Sequence, residues 1–173
     1  MATIPRQRQS KAGYRLEAFG RDHAELVAAW APTVDDCWRV APRTAPPLSA
    51  AKVLEWGREG EPLSLFRVGA ETPVAYAELN LLNRVQATYW IGHVLVDPAE
   101  RGQGVGRELM RQVLWRAFNV RGASRVSLVV FPDNPAAIAC YKSVGMNAEG
   151  WESHNFPAYG RRERLMRFVA TRS

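Results

Sequence analysis

A glycine-rich segment between two arginines is the part of the sequence with the clearest capacity for chemistry. It precedes an amphipathic stretch with the apolar spacing of a helix. Backbone N–H groups at the start of a helix face the positive end of its dipole, and this arrangement binds phosphate. Glycines let a diphosphate approach the chain, and arginines add charge-assisted hydrogen bonds. The predicted phosphate-binding residues are Gly102, Gly104 and Gly106, with Arg101 and Arg107 on either side.

Two common phosphate-binding motifs do not fit this segment. A P-loop ends in Gly-Lys followed by Ser or Thr, whereas Gly106 is followed by Arg107 and Glu108. A dinucleotide-binding fingerprint has the spacing Gly-x-Gly-x-x-Gly early in a βαβ unit, whereas here the spacing is Gly-x-Gly-x-Gly after several predicted strands. The segment therefore belongs to another kind of phosphate site.

Residues 94–106 resemble the acetyl-CoA signature of the GNAT superfamily of N-acetyltransferases. Its core pattern is Gln/Arg-x-x-Gly-x-Gly/Ala, which Arg101, Gly104 and Gly106 fill. Residues 134–146 are similar to a second family pattern, Asn-x-x-Ala-x-x-x-Tyr-x-x-x-Gly-Phe, with Met146 in place of the final Phe. The two motifs have the order and separation of the family, and the resemblance covers roughly residues 72–170.

The resemblance implies an α/β fold of the GNAT type, a mixed, mostly antiparallel central sheet of six to seven strands flanked by about four helices. It also implies a splay between the fourth and fifth strands, with the pantetheine arm of acetyl-CoA in the gap. Acetyl-CoA would be a co-substrate, and no metal is implied. The residues placed along the arm are Val94, Leu95, Val96, Asn134, Ala137 and Tyr141. The resemblance also assigns the whole segment from Arg101 to Arg107, including Gln103 and Val105, to the diphosphate.

The resemblance assigns Tyr141 as the general acid that protonates the departing thiolate. A phenol with an ordinary pKa of about 10 stays protonated at neutral pH, as a proton donor should. A core tyrosine that packs on the sheet is the alternative. The preceding Cys140 is interpreted as a small packing residue rather than a nucleophile. The implied reaction is therefore direct attack of an amine on the thioester in a ternary complex.

The amine must also lose a proton, since a lysine-like ammonium has a pKa of about 10.4. Glu78 is one candidate base, an acidic residue within an otherwise apolar predicted strand. His93 is the other, because histidine titrates near neutrality and this one lies beside the predicted splay. Strict alternation places His93 on the face opposite Gly92 and Val94, so it reaches the acceptor only through a bulge. A solvated Glu78 and a water chain without a dedicated base are the alternatives.

Hydrophobic periodicity and turn residues predict the elements that position these side chains. Strands are predicted over residues 14–19, 63–68, 73–81, 88–96, 125–131, 146–152 and 164–169. Helices are predicted over 21–30 and 49–56, from Gly104 onward, and from an N-cap at Asn134 to 144. We expect one N-acetyltransferase domain over residues 13–173 after a flexible segment, 1–12.

Four tryptophans and one connection are candidates for the acceptor pocket. The tryptophans belong to the core or to the pocket wall, and His154 and Tyr159 lie on a predicted connection that is either a lid or a plain surface loop. The tryptophans are Trp30, Trp38, Trp56 and Trp90.

Composition narrows the class of protein. The 173 residues are 47% apolar and 23% charged, as in ordinary globular proteins. No apolar run approaches the ~20 residues of a membrane span, and the polar N-terminus has no apolar signal core. Cys37 and Cys140 have no metal-binding or disulfide spacing. We therefore expect a cytoplasmic protein without a membrane partner.

The net charge of +6 is concentrated at the two ends. Residues 1–21 hold five Arg or Lys against one Glu, and residues 161–173 hold five Arg against one Glu. No zinc-finger or RNP-type sequence accompanies them, which disfavours nucleic acid as a partner. The expected partner is a small-molecule or peptide amine, and a homodimer is compatible with the sequence. A non-catalytic domain that binds or senses acyl-CoA is the rival interpretation.

Overall fold

The computed structural model describes residues 13–172, so the predicted flexible segment 1–12 lies outside the described residues. The helices are α1 (Ala24–Ala29), α2 (Val34–Val40), α3 (Ala50–Trp56), α4 (Val105–Asn119) and α5 (Pro135–Ser143). The strands are β1 (Tyr14–Ala18), β2 (Glu61–Arg67), β3 (Pro73–Asn83), β4 (Thr88–Val96), β5 (Arg125–Val130), β6 (Asn147–Phe156) and β7 (Arg161–Thr171).

All seven strands form one sheet in the order β1-β2-β3-β4-β5-β7-β6. Neighbouring strands are antiparallel except β4 and β5, which are parallel. The β4–β5 pairing extends only from Thr88 opposite Arg125 to Trp90 opposite Ser127, and beyond it the two strands separate. The predicted mixed sheet with a splay between its fourth and fifth strands is confirmed.

Helices cover both faces of this sheet. The main core lies between the sheet and α4, whose apolar stripe is fully buried at Leu109, Val113 and Ala117. A second cluster on the other face joins α1 and α3 to the side chains of Tyr76 and Leu95. Each face of the sheet thus has its own packed layer, and the gap between β4 and β5 lies in the sheet that separates them.

Sequence reasoning missed α2 and placed other boundaries differently. A single 3₁₀ turn, Arg21–His23, precedes α1 where one continuous helix was predicted. Thr33 accepts a hydrogen bond from the Asp36 backbone while the Asp36 carboxylate accepts from Thr33, and this capping box starts α2. The last two strands are longer than predicted because they pair as a hairpin, from Asn147 opposite Val169 to Phe156 opposite Arg161.

Within residues 13–172, none of the helices has the length and apolar character needed to cross a bilayer. No three His, Cys, Asp or Glu side chains of this part of the chain are grouped as metal ligands.

Candidate active site

The splay between β4 and β5 opens into a cavity of about 850 Å³. Most of the predicted site residues line it, whereas Glu78, Leu95 and Gln103 do not. The predicted residues in the lining are His93, Val94, Val96, Arg101, Gly102, Gly104, Val105, Gly106, Arg107, Asn134, Ala137 and Tyr141.

The backbone of β4 alternates between its neighbour β3 and the splay. The Asp97 N–H donates to the Val74 carbonyl at 2.9 Å. Because bonding groups alternate along an antiparallel pair, Leu95 faces β3 while Val94 and Val96 turn their backbone groups toward the gap. An extended ligand in the gap would therefore meet Val94 and Val96 and not Leu95.

The glycine loop turns through two left-handed residues before α4 begins. Gly102 has φ +76° and Gly104 has φ +81°, and the space where each Cβ would project holds no atom within 4 Å. A Cβ on Gly106 would lie 3.5 Å from the Val96 side chain. Left-handed φ favours glycine, and the open space leaves the amides at the α4 N-terminus accessible. This cradle fits the diphosphate of a nucleotide cofactor.

The polar side chains of the loop have different partners. The Arg101 guanidinium lies 3.3 Å from the carbonyls of both Val96 and Trp30, and so ties the end of β4 to the end of α1. Gln103 donates to the Ala99 carbonyl and accepts from Arg67, which turns its amide away from the cavity. Arg107 lines the cavity beside Cys140.

Helix α5 supplies another part of the cavity wall, across the gap from β4. Asn134 caps it by accepting the Ala137 N–H at 3.2 Å, as predicted, with Pro135 at the first helical position. Burial raises the pKa of the Tyr141 phenol, so this side chain keeps its proton at neutral pH. Burial also raises the pKa of the Cys140 thiol, against the opposing charge of Arg107. A protonated thiol is a poor nucleophile.

A buried carboxylate–imidazole pair lies at the other side of the splay. Glu78 is 1% exposed, and its Oε1 and Oε2 lie 2.8 and 3.0 Å from Nδ1 of His93. The Trp56 ring stacks on the imidazole with centroids 3.9 Å apart and planes 3° from parallel. An ionised carboxylate only accepts hydrogen bonds, so Nδ1 is the donor of this pair, and in the neutral form of the imidazole the lone pair lies on Nε2.

A bulge in β4 brings His93 to this position. Tyr76 pairs with Leu95 but Glu78 pairs with Gly92, so two residues of β4 oppose Ala77. His93 takes up the extra residue with φ +46°. The prediction from strict alternation, which put His93 on the face opposite Gly92, is therefore wrong beyond Gly92. The bulge turns the imidazole onto the face of Glu78 and Trp56.

Helix α2 closes the cavity on the same face as His93. Its Trp38 packs on Phe131 and Phe156 with ring centroids 4.8 and 5.1 Å apart, and Arg39 pairs with Asp133 at 3.0 Å. These contacts join α2 to the end of β5 and to β6. Sequence reasoning missed Arg39 and Asp133 because it missed α2, although Thr33 and Asp36 have capping-box spacing.

The other aromatic candidates divide between core and wall. Trp30 is buried in the α1–α3 layer, whereas Trp90 is exposed along the cavity. His154 lies within β6 and lines the cavity, and Tyr159 follows in a 3₁₀ turn that packs on Trp38.

Comparison with known proteins places this geometry in a family. Residues 27–146 match the model of the acetyltransferase (GNAT) family. The chain belongs to the GNAT acetyltransferase family. The match covers α2, α3, both strands of the splay, the glycine loop and α5.

Relatives of this GNAT chain are similar over part of their length. An uncharacterised protein of Mycobacterium leprae is 38% identical over 57% of this chain and 26% of its own. The N-alpha-acetyltransferase RimI of Mycobacterium tuberculosis is 42% identical over 46% of this chain and 48% of its own. A thialysine N-epsilon-acetyltransferase of Sus scrofa is 33% identical over 43% and 45%. The chain thus spans about half or less of the length of these relatives.

Solved structures share the fold over nearly the whole chain. A GNAT-family acetyltransferase from Bacillus anthracis has a TM-score of 0.78 at 16% identity, covering 93% of this chain and 96% of that one. Spermidine N-acetyltransferase from Vibrio cholerae, solved with CoA and spermine, has a TM-score of 0.77 at 18% identity, covering 92% and 95%. At these identities the likeness concerns the fold alone.

Proposed function

We propose that this protein is an N-acetyltransferase that moves an acetyl group from acetyl-CoA to a primary amine within a ternary complex. The observation that carries the proposal is one cavity with a phosphate cradle at Gly102–Gly106 on one side and the His93–Glu78 pair on the other. Relatives named as acetyltransferases of terminal or side-chain amines support the reaction class.

The glycine loop and the splay fit acetyl-CoA as co-substrate, which supplies the activated acetyl thioester. Accessible amides at the start of α4, together with Arg107, would hold the diphosphate. Backbone groups of Val94 and Val96 would pair with the extended arm and direct N–H donors at the thioester oxygen. The unpaired stretch of β4 thus becomes a binding edge.

His93 is the proposed general base. Its Nε2 would accept a proton from the ammonium of the acceptor, while Nδ1 stays hydrogen-bonded to Glu78. Glu78 is 1% exposed and does not reach the cavity, so its role is to orient the imidazole and stabilise its charged form. Stacking on Trp56 limits rotation of the ring. Glu78 is therefore a positioning residue.

Tyr141 is the proposed general acid. It lines the cavity from α5, on the wall that faces the splay, and its phenol would donate its proton to the departing thiolate. The elevated pKa of Tyr141 keeps the phenol protonated through neutral and mildly alkaline pH. The protonated thiol of Cys140 disfavours an acetyl-cysteine intermediate, which supports direct attack by the amine.

A thiol-release assay with acetyl-CoA and a panel of primary amines tests this function. We expect turnover with at least one amine, and Tyr141→Phe should lower kcat by on the order of 100-fold at pH values from about 7 to about 9, because the phenol keeps its proton over this range. Saturable binding of acetyl-CoA without turnover on any amine would instead support the acyl-CoA-sensing domain. Full activity of Tyr141→Phe would remove Tyr141 from the mechanism.

A further inference from the structure

The acceptor side of the cavity contains a guanidinium that is held in place without a counter-charge. Arg43 follows α2 and lines the cavity. Its Cζ lies 5.3 Å from the centre of the Phe156 ring, and Nη2 lies 2.8 Å from Nδ1 of His154. No carboxylate of residues 13–172 forms an ion pair with Arg43, although ten arginine–carboxylate pairs join other residues of this range.

A chain of hydrogen bonds fixes the orientation of Arg43. Since a guanidinium only donates, Nδ1 of His154 accepts and its Nε2 donates to Glu152 at 2.9 Å. Glu152 pairs with Arg167, whose Nη1 donates to the buried Ser127 hydroxyl at 3.0 Å. Arg167 thus neutralises Glu152, and the charge of Arg43 stays uncompensated at the end of the chain.

The other charged groups of α2 either form an ion pair or lie at the opposite end of the helix from Arg43. Arg39 pairs with Asp133, and the Asp36 carboxylate accepts the hydrogen bonds of Thr33. Asp35 and Asp36 also line the cavity, but both lie in the first turn of α2, next to the amides of the helix start, whereas Arg43 follows the C-terminal end of that helix. Near Phe156 and His154 the cavity wall therefore favours an anion.

His93 and Arg43 line the same cavity, but they suit ligand groups of opposite charge. The imidazole of His93, backed by Glu78, suits an amine, whereas the fork of Arg43 retains N–H donors beyond the one directed at His154. Guanidinium groups bind carboxylates through two parallel hydrogen bonds. A second cation on the acceptor would be repelled at Arg43.

We infer that the acceptor carries a carboxylate in addition to its amine, and that Arg43 binds this carboxylate while His93 receives the amine. The inference rests on the proposed function. A free diamino acid and a peptide with an acidic side chain near its amine share this chemistry. Arg43 is then a specificity-determining residue of the acceptor site.

Matched acceptors with and without the carboxylate provide the test. The pairs are L-lysine with cadaverine, L-ornithine with putrescine, and 2,4-diaminobutyrate with 1,3-diaminopropane. A peptide beginning Ala-Glu is compared with one beginning Ala-Gln, so that the peptide source is distinguished from the free amino acid. We expect the wild-type enzyme to favour the acid of at least one pair by about tenfold or more in kcat/KM, the scale of one charge-assisted pair.

Arg43→Gln should abolish that preference by raising the KM of the acid about tenfold, with the KM of acetyl-CoA unchanged. Arg43→Lys should restore part of it, because a point charge remains without the planar fork. Arg58→Gln, which removes an exposed arginine outside the cavity, is the matched control and should leave both acceptors unaffected. A merely structural role of Arg43 would instead change acid and diamine alike.

Equal kcat/KM for acid and carboxylate-free partner in every pair would overturn the inference and leave the proposed function intact. The same conclusion follows if Arg43→Gln keeps the wild-type preference while its melting temperature matches that of wild type. Absence of transfer to every amine, diamines included, would contradict the proposed function itself, and the inference with it.

Discussion

The two sides of the cavity are built from different materials. The side at α4 consists of backbone: left-handed glycines, amides of a helix start and an unpaired strand edge. The side at α2 and α3 depends on side chains from distant parts of the sequence: His93 lines the cavity, and Glu78 and Trp56 hold it from behind. A site made of backbone needs particular residues at fixed spacing, whereas a site made of side chains needs only that the fold bring them together.

This difference explains which side the motifs identify. The cradle depends on positive φ at Gly102 and Gly104, so the sequence must place glycine there. The buried pair of Glu78 and His93 depends on strand register and one bulge, neither of which has a fixed sequence signature. Under the proposed function, the first side would bind the co-substrate that the family shares, and the second would bind the acceptor.

Removing the imidazole should have the largest effect. We expect His93→Gln to lower kcat/KM for the amine by on the order of 100-fold, because a positioned base contributes about this factor or more, while binding of acetyl-CoA remains. Glu78→Gln should give a smaller loss, confined to kcat, because it removes only the orienting partner. Steady-state kinetics and calorimetry with acetyl-CoA separate these effects.

His23→Gln is the matched control for His93→Gln. His23 packs on Phe66 with ring centroids 5.8 Å apart and lies outside the cavity, so its substitution should leave kcat/KM unchanged. If His93→Gln is as active as the wild type, water rather than His93 takes up the proton. The side at α2 and α3 would then supply no catalytic side chain of this kind.

Adding one methyl group to the backbone side should have an intermediate effect. Gly104→Ala places a Cβ at φ +81° in the space that faces the phosphate site, and we expect the KM for acetyl-CoA to rise about tenfold, the scale of 1.4 kcal/mol. Gly69→Ala introduces similar strain at φ +84° in the turn between β2 and β3, away from the cavity.

Both glycine variants should lose about 1–2 kcal/mol of unfolding free energy, because a Cβ disfavours the left-handed conformation. Only Gly104→Ala should change the KM. If both raise it equally, strain rather than the geometry of the cradle governs acetyl-CoA binding.

The smallest expected effect concerns the ion pairs of Glu61 in β2 with Arg116 and Arg121, at the end of α4. Burial opposes ionisation of Glu61 in β2, yet hydrogen bonds from Arg121 and Arg116 of the α4 region hold the pKa of Glu61 below its ordinary value. We expect Glu61→Gln to cost about 1 kcal/mol of stability at neutral pH without changing kcat/KM.

The pH dependence of that loss follows from the direction of the shift. A lowered folded-state pKa stabilises the fold above the unfolded pKa and ceases to do so as pH falls through the folded value. Thermal melts of wild type and Glu61→Gln should therefore converge in acid, below about pH 4. Glu71→Gln, at an exposed carboxylate in the β2–β3 turn, is the matched control and should melt like the wild-type protein at neutral pH.

Much of the sheet follows from local patterns. The strand predicted at residues 88–96 has the observed bounds of β4, and Asn134 caps α5 as predicted from its place before Pro135. These features depend on neighbours in sequence, namely alternation, turn residues and capping groups. The splay itself came from the family resemblance and is confirmed by the short β4–β5 pairing.

Other features depend on contacts that no local pattern encodes. The left-handed His93 arises from a one-residue mismatch between β3 and β4, and it is stabilised by Glu78, fifteen positions earlier. Arg43 is held in the cavity wall by His154 and Phe156, which lie more than a hundred positions later in the sequence. These residues become neighbours only when the chain has folded, so their contacts were not predictable from the sequence.

The double tether of Arg101 has a consequence for how the two layers communicate. Its guanidinium serves the carbonyls of Val96 and Trp30, one at the rim of the splay and one at the end of α1. An anion that bound the Arg101 guanidinium would compete with both carbonyls. Each carbonyl would then need a water molecule as its new hydrogen-bond donor. A ligand that drew Arg101 away from these carbonyls would therefore loosen the attachment of α1, and a firmly attached α1 would weaken the binding of such a ligand.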